Sequence, residues 1–121
     1  KLKLYGMALS NLQTDINDRF VYVKLTKEMF KKTKASDFEA DGIINYCISV
    51  PTAVVGCVIK EIDDKTTKIS LRSIEKFNVL SVVKQFDGGG HKNAAGCTIH
   101  ENIEIATKII IKAFKDKLSA K

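Results

Sequence analysis

The chain has 121 residues, 45% of them hydrophobic and 28% charged, the size and balance of one domain that buries its own core without a disulfide or structural metal. Its 20 basic residues outnumber 14 acidic ones for a net charge of +6, a surface that favours anionic partners such as nucleotides and nucleic acids, although eighteen of the 20 are scattered lysines and no arginine-rich stripe is present. No apolar run approaches the roughly 20 residues that span a bilayer, no secretory segment opens the chain, and three widely spaced cysteines without a C-x-x-C pair suit reduced thiols in the cytoplasm.

The chain begins at Lys1 without a methionine, as a piece cut from a longer protein would. Residues 2–12 are apolar but show no clear period. "RFVYVKL" (19–25) alternates and is rich in β-branched and aromatic residues, which predicts a strand. Thr26 is placed to cap a short helix reaching residue 33. Residues 42–49 read as a helix packed by Ile43, Ile44, Tyr46 and Cys47. Two β-rich runs, 52–62 and 66–73, flank a polar "DDK" and predict a hairpin. In the second run Thr67, Ile69 and Leu71 point one way, and Lys68, Ser70 and Arg72 the other.

"NVLSVVKQF" (78–86) predicts a helix capped by Asn78, with an apolar stripe of Val79, Val82, Val83 and Phe86 and a stop at Gly88. Residues 96–100 predict a short strand. Asn102 then caps a last helix to about Leu118, turning Ala106, Ile109, Ile110, Ala113 and Phe114 to the core. Glu104 near its start and Lys112, Lys115 and Lys117 near its end complement the helix dipole. This mixture of hairpin and helices predicts an α+β, or mixed α/β, fold.

"FDGGGHKNAAG" (86–96) is the unusual stretch. Phosphate-binding glycine motifs precede a helix, whereas these glycines follow one, and neither GxxxxGK[ST] nor GxGxxG occurs. What remains is a bare backbone that a ligand can approach closely, with loop amides able to form an anion-binding nest. His91 adds a donor that carries charge near neutral pH, and Lys92 and Asn93 add more. A helix stop needs one glycine, not three followed by a histidine, so the ligand-loop reading is favoured over a purely structural turn. His100 has no such setting and reads as structural. Cys97 and His100 lie three apart, which on a strand puts them on opposite faces, so no metal site is expected in this chain. No serine or cysteine sits in a nucleophile elbow, and no carboxylate–histidine cluster suits a two-metal centre.

"KISLRS…NVLSVVKQFDGGGHKNAAG" resembles the DHHA1 domain of the DHH phosphoesterase superfamily, most nearly the C-terminal domain of the oligoribonuclease/pAp-phosphatase (nanoRNase) type. "EADGIINYCISVPTAVVGCVIKE" looks like the family segment before the hairpin, so the resemblance covers nearly all of residues 1–121. It implies one DHHA1-like substrate-binding domain with a central mixed β-sheet flanked by helices. It also implies a larger N-terminal DHH domain in the same polypeptide, which would hold manganese and face this domain across a cleft. No Asp-His-His string occurs here, so no catalytic residue, metal or cofactor is assigned to this chain, which alone would be inactive. The residues implied to contact phosphate and nucleotide are Arg72, Gly88, Gly89, Gly90 and His91, with Lys92 and Asn93 beside them. The family usually has four glycines after the aromatic, where this chain has Asp87, and often Asp-Val at the helix start, where this chain has Asn78-Val79. The expected function is binding of short RNA or DNA, or of a nucleotide phosphate such as pAp, for a manganese-dependent phosphoesterase in the cytoplasm. A stand-alone nucleic-acid module, a RecJ-like exonuclease and a cyclic-dinucleotide phosphodiesterase remain as alternatives.

Overall fold

The computed structural model describes residues 1–119. In chain order these form α1 (Leu2–Ser10), β1 (Gln13–Asp15), β2 (Phe20–Leu25), α2 (Lys27–Thr33), a 3-10 turn (Asp37–Ala40), α3 (Ile43–Ile48), β3 (Val55–Asp63) and β4 (Thr66–Ser73). Then come α4 (Leu80–Val83), a second 3-10 turn (Lys84–Phe86), β5 (Gly89–His91), β6 (Ala94–Ile99) and α5 (Ile103–Ser119). The strands make one six-stranded sheet in the order β1-β2-β3-β4-β6-β5. Only β2 and β3 are parallel; every other pair is antiparallel. The fold is α+β with a mixed sheet. No helix among the described residues is long and apolar enough to cross a membrane.

The two faces of the sheet are covered unequally. On one, Phe20, Val55, Ile69, Leu71 and Cys97 meet Val82 and Val83 of α4 and Ile110 and Phe114 of α5. Phe114 anchors α5, its ring 5.3 Å from that of Phe20 and 6.1 Å from that of Phe77. On the other face Val21, Val23, Leu25 and Val58 pack under α1 and α3, against Leu4, Ala8, Ile43 and Cys47. That second layer draws on β2 and β3 alone. No residue of β4, β5 or β6 joins it, so half of this face is bare. The alternation of β4 follows directly: Thr67, Ile69 and Leu71 are buried, while Lys68 and Arg72 are exposed.

Several expectations are corrected. Residues 2–10 are a helix, and β1 was not foreseen. The strand expected from residue 52 starts at Val55, the helix expected from Asn78 starts at Leu80, and β6 starts at Ala94 rather than residue 96. Tyr46 is 52% exposed, lying edge-on to Tyr5 at 5.9 Å instead of packing inward. The buried stripe of α5 is Ile103, Ala106, Thr107, Ile110, Phe114 and Leu118; Ile109 and Ala113 only flank it. Gly88 is not the left-handed stop of the 78–86 segment. Asp87 takes that conformation, at φ 58°, and the Gly88 amide donates to the Val83 carbonyl at 2.9 Å. Finally, the glycine loop is a strand, joined to β6 by the turn Lys92-Asn93.

Candidate anion-binding site

β4, β6 and β5 lie side by side, and their register sets the site. Arg72 pairs with Ala94, and Ala94 pairs with His91. Directly paired residues of antiparallel strands share a face, so the three form one row across the sheet. Strands sit about 4.8 Å apart, which puts the Arg72 and His91 backbones roughly 10 Å from each other with only a methyl group between. The next row is Ser70–Gly96–Gly89 and the one beyond it Lys68–Thr98. The face is set by Gly56, the β3 partner of Arg72. A Cβ there would meet the Ile48 amide nitrogen at 2.8 Å, so this row lies on the α3 side, where α3 covers β3 and leaves β4 to β5 open. The outcome is a shallow trough along β6, floored by Ala94, Gly96 and Thr98 and walled by Lys68, Ser70 and Arg72 on one side and Gly89 and His91 on the other.

Arg72, His91 and Lys68 are exposed, and among the described residues none of the three makes an ion pair. The guanidinium fork and an imidazole facing each other across bare backbone suit a phosphate oxygen set.

The three glycines differ. A Cβ on Gly88 would fall 2.4 Å from the Gly96 carbonyl oxygen and 2.7 Å from the Cys97 Cβ, and Gly90 has φ +133° with its Cβ position 2.6 Å from the Ala94 oxygen. Both are demanded by the chain itself. Around Gly89 nothing lies within 4 Å; its open space faces the trough.

Lys92 and Asn93 serve differently. The Lys92 carbonyl accepts the Val79 amide at 2.9 Å, and Lys92 lines a surface depression with Ile74, Glu75 and Lys76 that does not include Arg72 or His91. The Asn93 Nδ2 lies 2.8 Å from the Ile74 oxygen, 3.0 Å from the Ser73 Oγ and 3.1 Å from the Glu75 and Phe77 oxygens. Its two N–H groups are therefore taken up in fixing the loop between β4 and α4 against the β5–β6 turn. Cys97 is buried beneath Gly88, and that burial pushes its thiol up to about 11, which makes it a neutral packing group rather than a nucleophile. A larger cleft of about 720 Å³ opens past the end of β5 and is lined by Asp87, Gly88, Gly89, Thr98, His100 and Glu101. It shares Lys68, Gly89, Gly96 and Thr98 with the trough and so continues it, but includes neither Arg72 nor His91. No group of three or more His, Cys, Asp or Glu among the described residues could hold a metal ion.

Sequence reasoning placed Arg72 and His91 but missed the trough between them. The signal was the A-A-G spacing before Cys97: at period two it puts Ala94 and Gly96 on one face.

Comparison with known proteins places the chain in a family and a fold. The family model of the DHHA1 domain matches residues 17–119. An exopolyphosphatase-related protein from Bacteroides fragilis superposes with a TM-score of 0.87 at 31% identity, over 97% of this chain and 35% of that one. A pGpG-specific phosphodiesterase from Vibrio cholerae shares the fold, with a TM-score of 0.60 at 14% identity, over 97% of this chain and 38% of that one. Among curated proteins, a membrane protein–large ribosomal subunit bL9 fusion protein from Onion yellows phytoplasma is 29% identical over 91 residues, 74% of this chain and 10% of its own length. The chain thus spans a little over a third of these solved structures and a tenth of that curated relative.

Proposed function

The chain belongs to the DHHA1 domain family of the DHH phosphoesterase superfamily, and from that premise we propose that it is the substrate-binding domain of a phosphoesterase acting on short oligoribonucleotides or on pAp. The observation that carries this reading is the single row of Arg72, Ala94 and His91 on the uncovered half of the sheet, beside the open backbone of Gly89. Arg72 clamps a phosphate through its fork, His91 donates to a second oxygen, and the small residues between them let the phosphate reach the main chain. Gly88, Gly90 and Asn93 hold that geometry, and Lys92 extends the positive field.

In this reading an N-terminal DHH domain of the same polypeptide forms the opposite wall of the cleft. Manganese, implied for the whole enzyme by the family resemblance, would in this reading be held by that other domain; no group of three or more His, Cys, Asp or Glu among the described residues could hold it, and no step is assigned to it here. Half a cleft binds weakly. The expected Kd of this chain for pAp is near or above about 1 mM, roughly 4 kcal/mol. Titration followed by amide chemical shifts should move Arg72, Gly89, Gly90 and His91 first. Arg72→Lys keeps the charge but loses the fork, so it should weaken binding severalfold without lowering Tm. Shifts centred on α5, with residues 88–92 unmoved, would place the site elsewhere and sink the reading.

A further inference from the structure

Where the second layer ends, between the first 3-10 turn and the wall of β4, the surface encloses a cavity of about 250 Å³. It lies on the other side of the β4 wall from the trough and shares Lys68, Ser70 and Arg72 with it. Its apolar wall is Ile44 and Val58, its far rim is Asp37 and Asp41, and Lys60 and Lys68 also line it. The volume is below the roughly 300–1,000 Å³ of a drug-sized site and suits a single ring system.

The rim is held in place. Asp37 Oδ1 lies 3.4 Å from Lys60 Nζ, and that nitrogen sits 5.5 Å above the Phe30 ring. The 3-10 turn carrying Asp37 starts with a capping box between Ser36 and Glu39. The Tyr5 hydroxyl donates to the Asp41 carbonyl, and Gly42 follows at φ +95° with no room for a Cβ against that hydroxyl. The Asp41 carboxylate makes no ion pair or hydrogen bond among the described residues. An acceptor-only group is thus presented, unspent, at the mouth of a slot with an apolar back, whose other wall is the proposed phosphate-binding arginine.

We infer that this cavity is a nucleobase pocket and that its carboxylate rim selects guanine. The inference rests on the reading that Arg72 holds a phosphate. With the phosphate on Arg72 and His91, the base of the same nucleotide reaches the slot on the other side of Arg72. An ionised carboxylate only accepts hydrogen bonds. Guanine presents two adjacent N–H donors on its pairing edge, N1–H and the N2 amine. Adenine and cytosine each set one amino donor beside an acceptor nitrogen that a carboxylate repels, and uracil sets its one N–H between two oxygens.

The test is binding of GMP, IMP, AMP and ribose 5-phosphate to this chain and to its Asp41→Asn, Asp37→Asn and Arg72→Lys variants. GMP should bind about tenfold more tightly than AMP, as a bidentate base contact discriminates. IMP, which lacks the N2 amine, should fall between them, and ribose 5-phosphate should bind most weakly. Asp41→Asn should bring GMP to the level of AMP while leaving ribose 5-phosphate binding and Tm unchanged. Equal affinity for GMP and AMP overturns the selection of guanine. Nucleotides that bind no better than ribose 5-phosphate overturn the base pocket, while weaker ribose 5-phosphate binding by Arg72→Lys keeps the phosphate reading standing. If phosphate compounds do not bind, or bind independently of Arg72, the phosphate reading fails and takes the base pocket with it.

Discussion

At the scale of single residues, the run Gly88-Gly89-Gly90 performs three different tasks that identical letters conceal. Gly88 lets the segment after α4 touch the backbone of β6; Gly90 supplies a φ of +133°; Gly89 is asked for by nothing within 4 Å. Gly88→Ala should therefore cost about 1–3 kcal/mol through overpacking against Gly96 and Cys97. Gly89→Ala should change stability by less than about 0.5 kcal/mol yet weaken nucleotide phosphate binding, since its methyl group would stand in the trough. Chemical denaturation beside phosphate titration separates the two variants. A Gly89→Ala protein that binds normally would leave that glycine without a role and weaken the proposed clamp. Asn93 teaches a related lesson. Its residue type suggested a ligand donor, but its amide is surrounded by four acceptors of the 73–77 loop, and only the folded chain brings that loop within reach.

At the scale of elements, the stop of the helical segment before β5 is the informative departure. A left-handed residue commonly ends a helix and is usually glycine; here it is Asp87, at φ 58°. Asp87→Gly should relieve that strain, stabilising the protein by about 0.5 kcal/mol after the entropy that glycine adds to the unfolded chain. It also removes a negative charge beside the trough, so phosphate affinity should rise, most clearly at low ionic strength. A thermal melt and a titration at two salt concentrations check both effects; weaker phosphate binding by the variant would contradict this view of Asp87. Elements that bury one face or one stripe were legible in the sequence. β4 alternates because its other face is bare, and α5 announces itself by Asn102, whose Oδ1 accepts the Ile105 amide at 2.9 Å. β1 and β5 were not legible. Each is three residues long and fully exposed, so no burial patterns its sequence, and pairing with β2 or β6 alone makes it a strand. The apolar stretch that became α1 was ambiguous because only Leu4 and Ala8 are buried in it.

At the scale of the whole molecule, the site was legible as a set of residue types and illegible as a place. The sequence pointed to an arginine on a polar face and a histidine among glycines, nineteen residues apart; the sheet order β4-β6-β5 sets them in one row. That order also bounds the chemistry. Hydrolysis of a phosphodiester needs a positioned and activated water, and an imidazole acting as base is ordinarily oriented by a third group. Among the described residues the His91 imidazole has no hydrogen-bonded or ionic partner, and no group of three or more His, Cys, Asp or Glu could hold a metal that would activate water instead. In the proposed reading this chain is one wall of a cleft that supplies binding groups, and the activation of water falls to the other domain. Incubated alone with manganese and either a short oligoribonucleotide or pAp, it should release no mononucleotide or inorganic phosphate above a blank, even at concentrations where its binding is measurable by chemical shift. His91→Ala, purified in parallel, controls for trace nuclease. Turnover that survives repeated purification and vanishes in His91→Ala would show that these residues carry their own chemistry, and would overturn the division of labour between this domain and a metal-bearing partner domain.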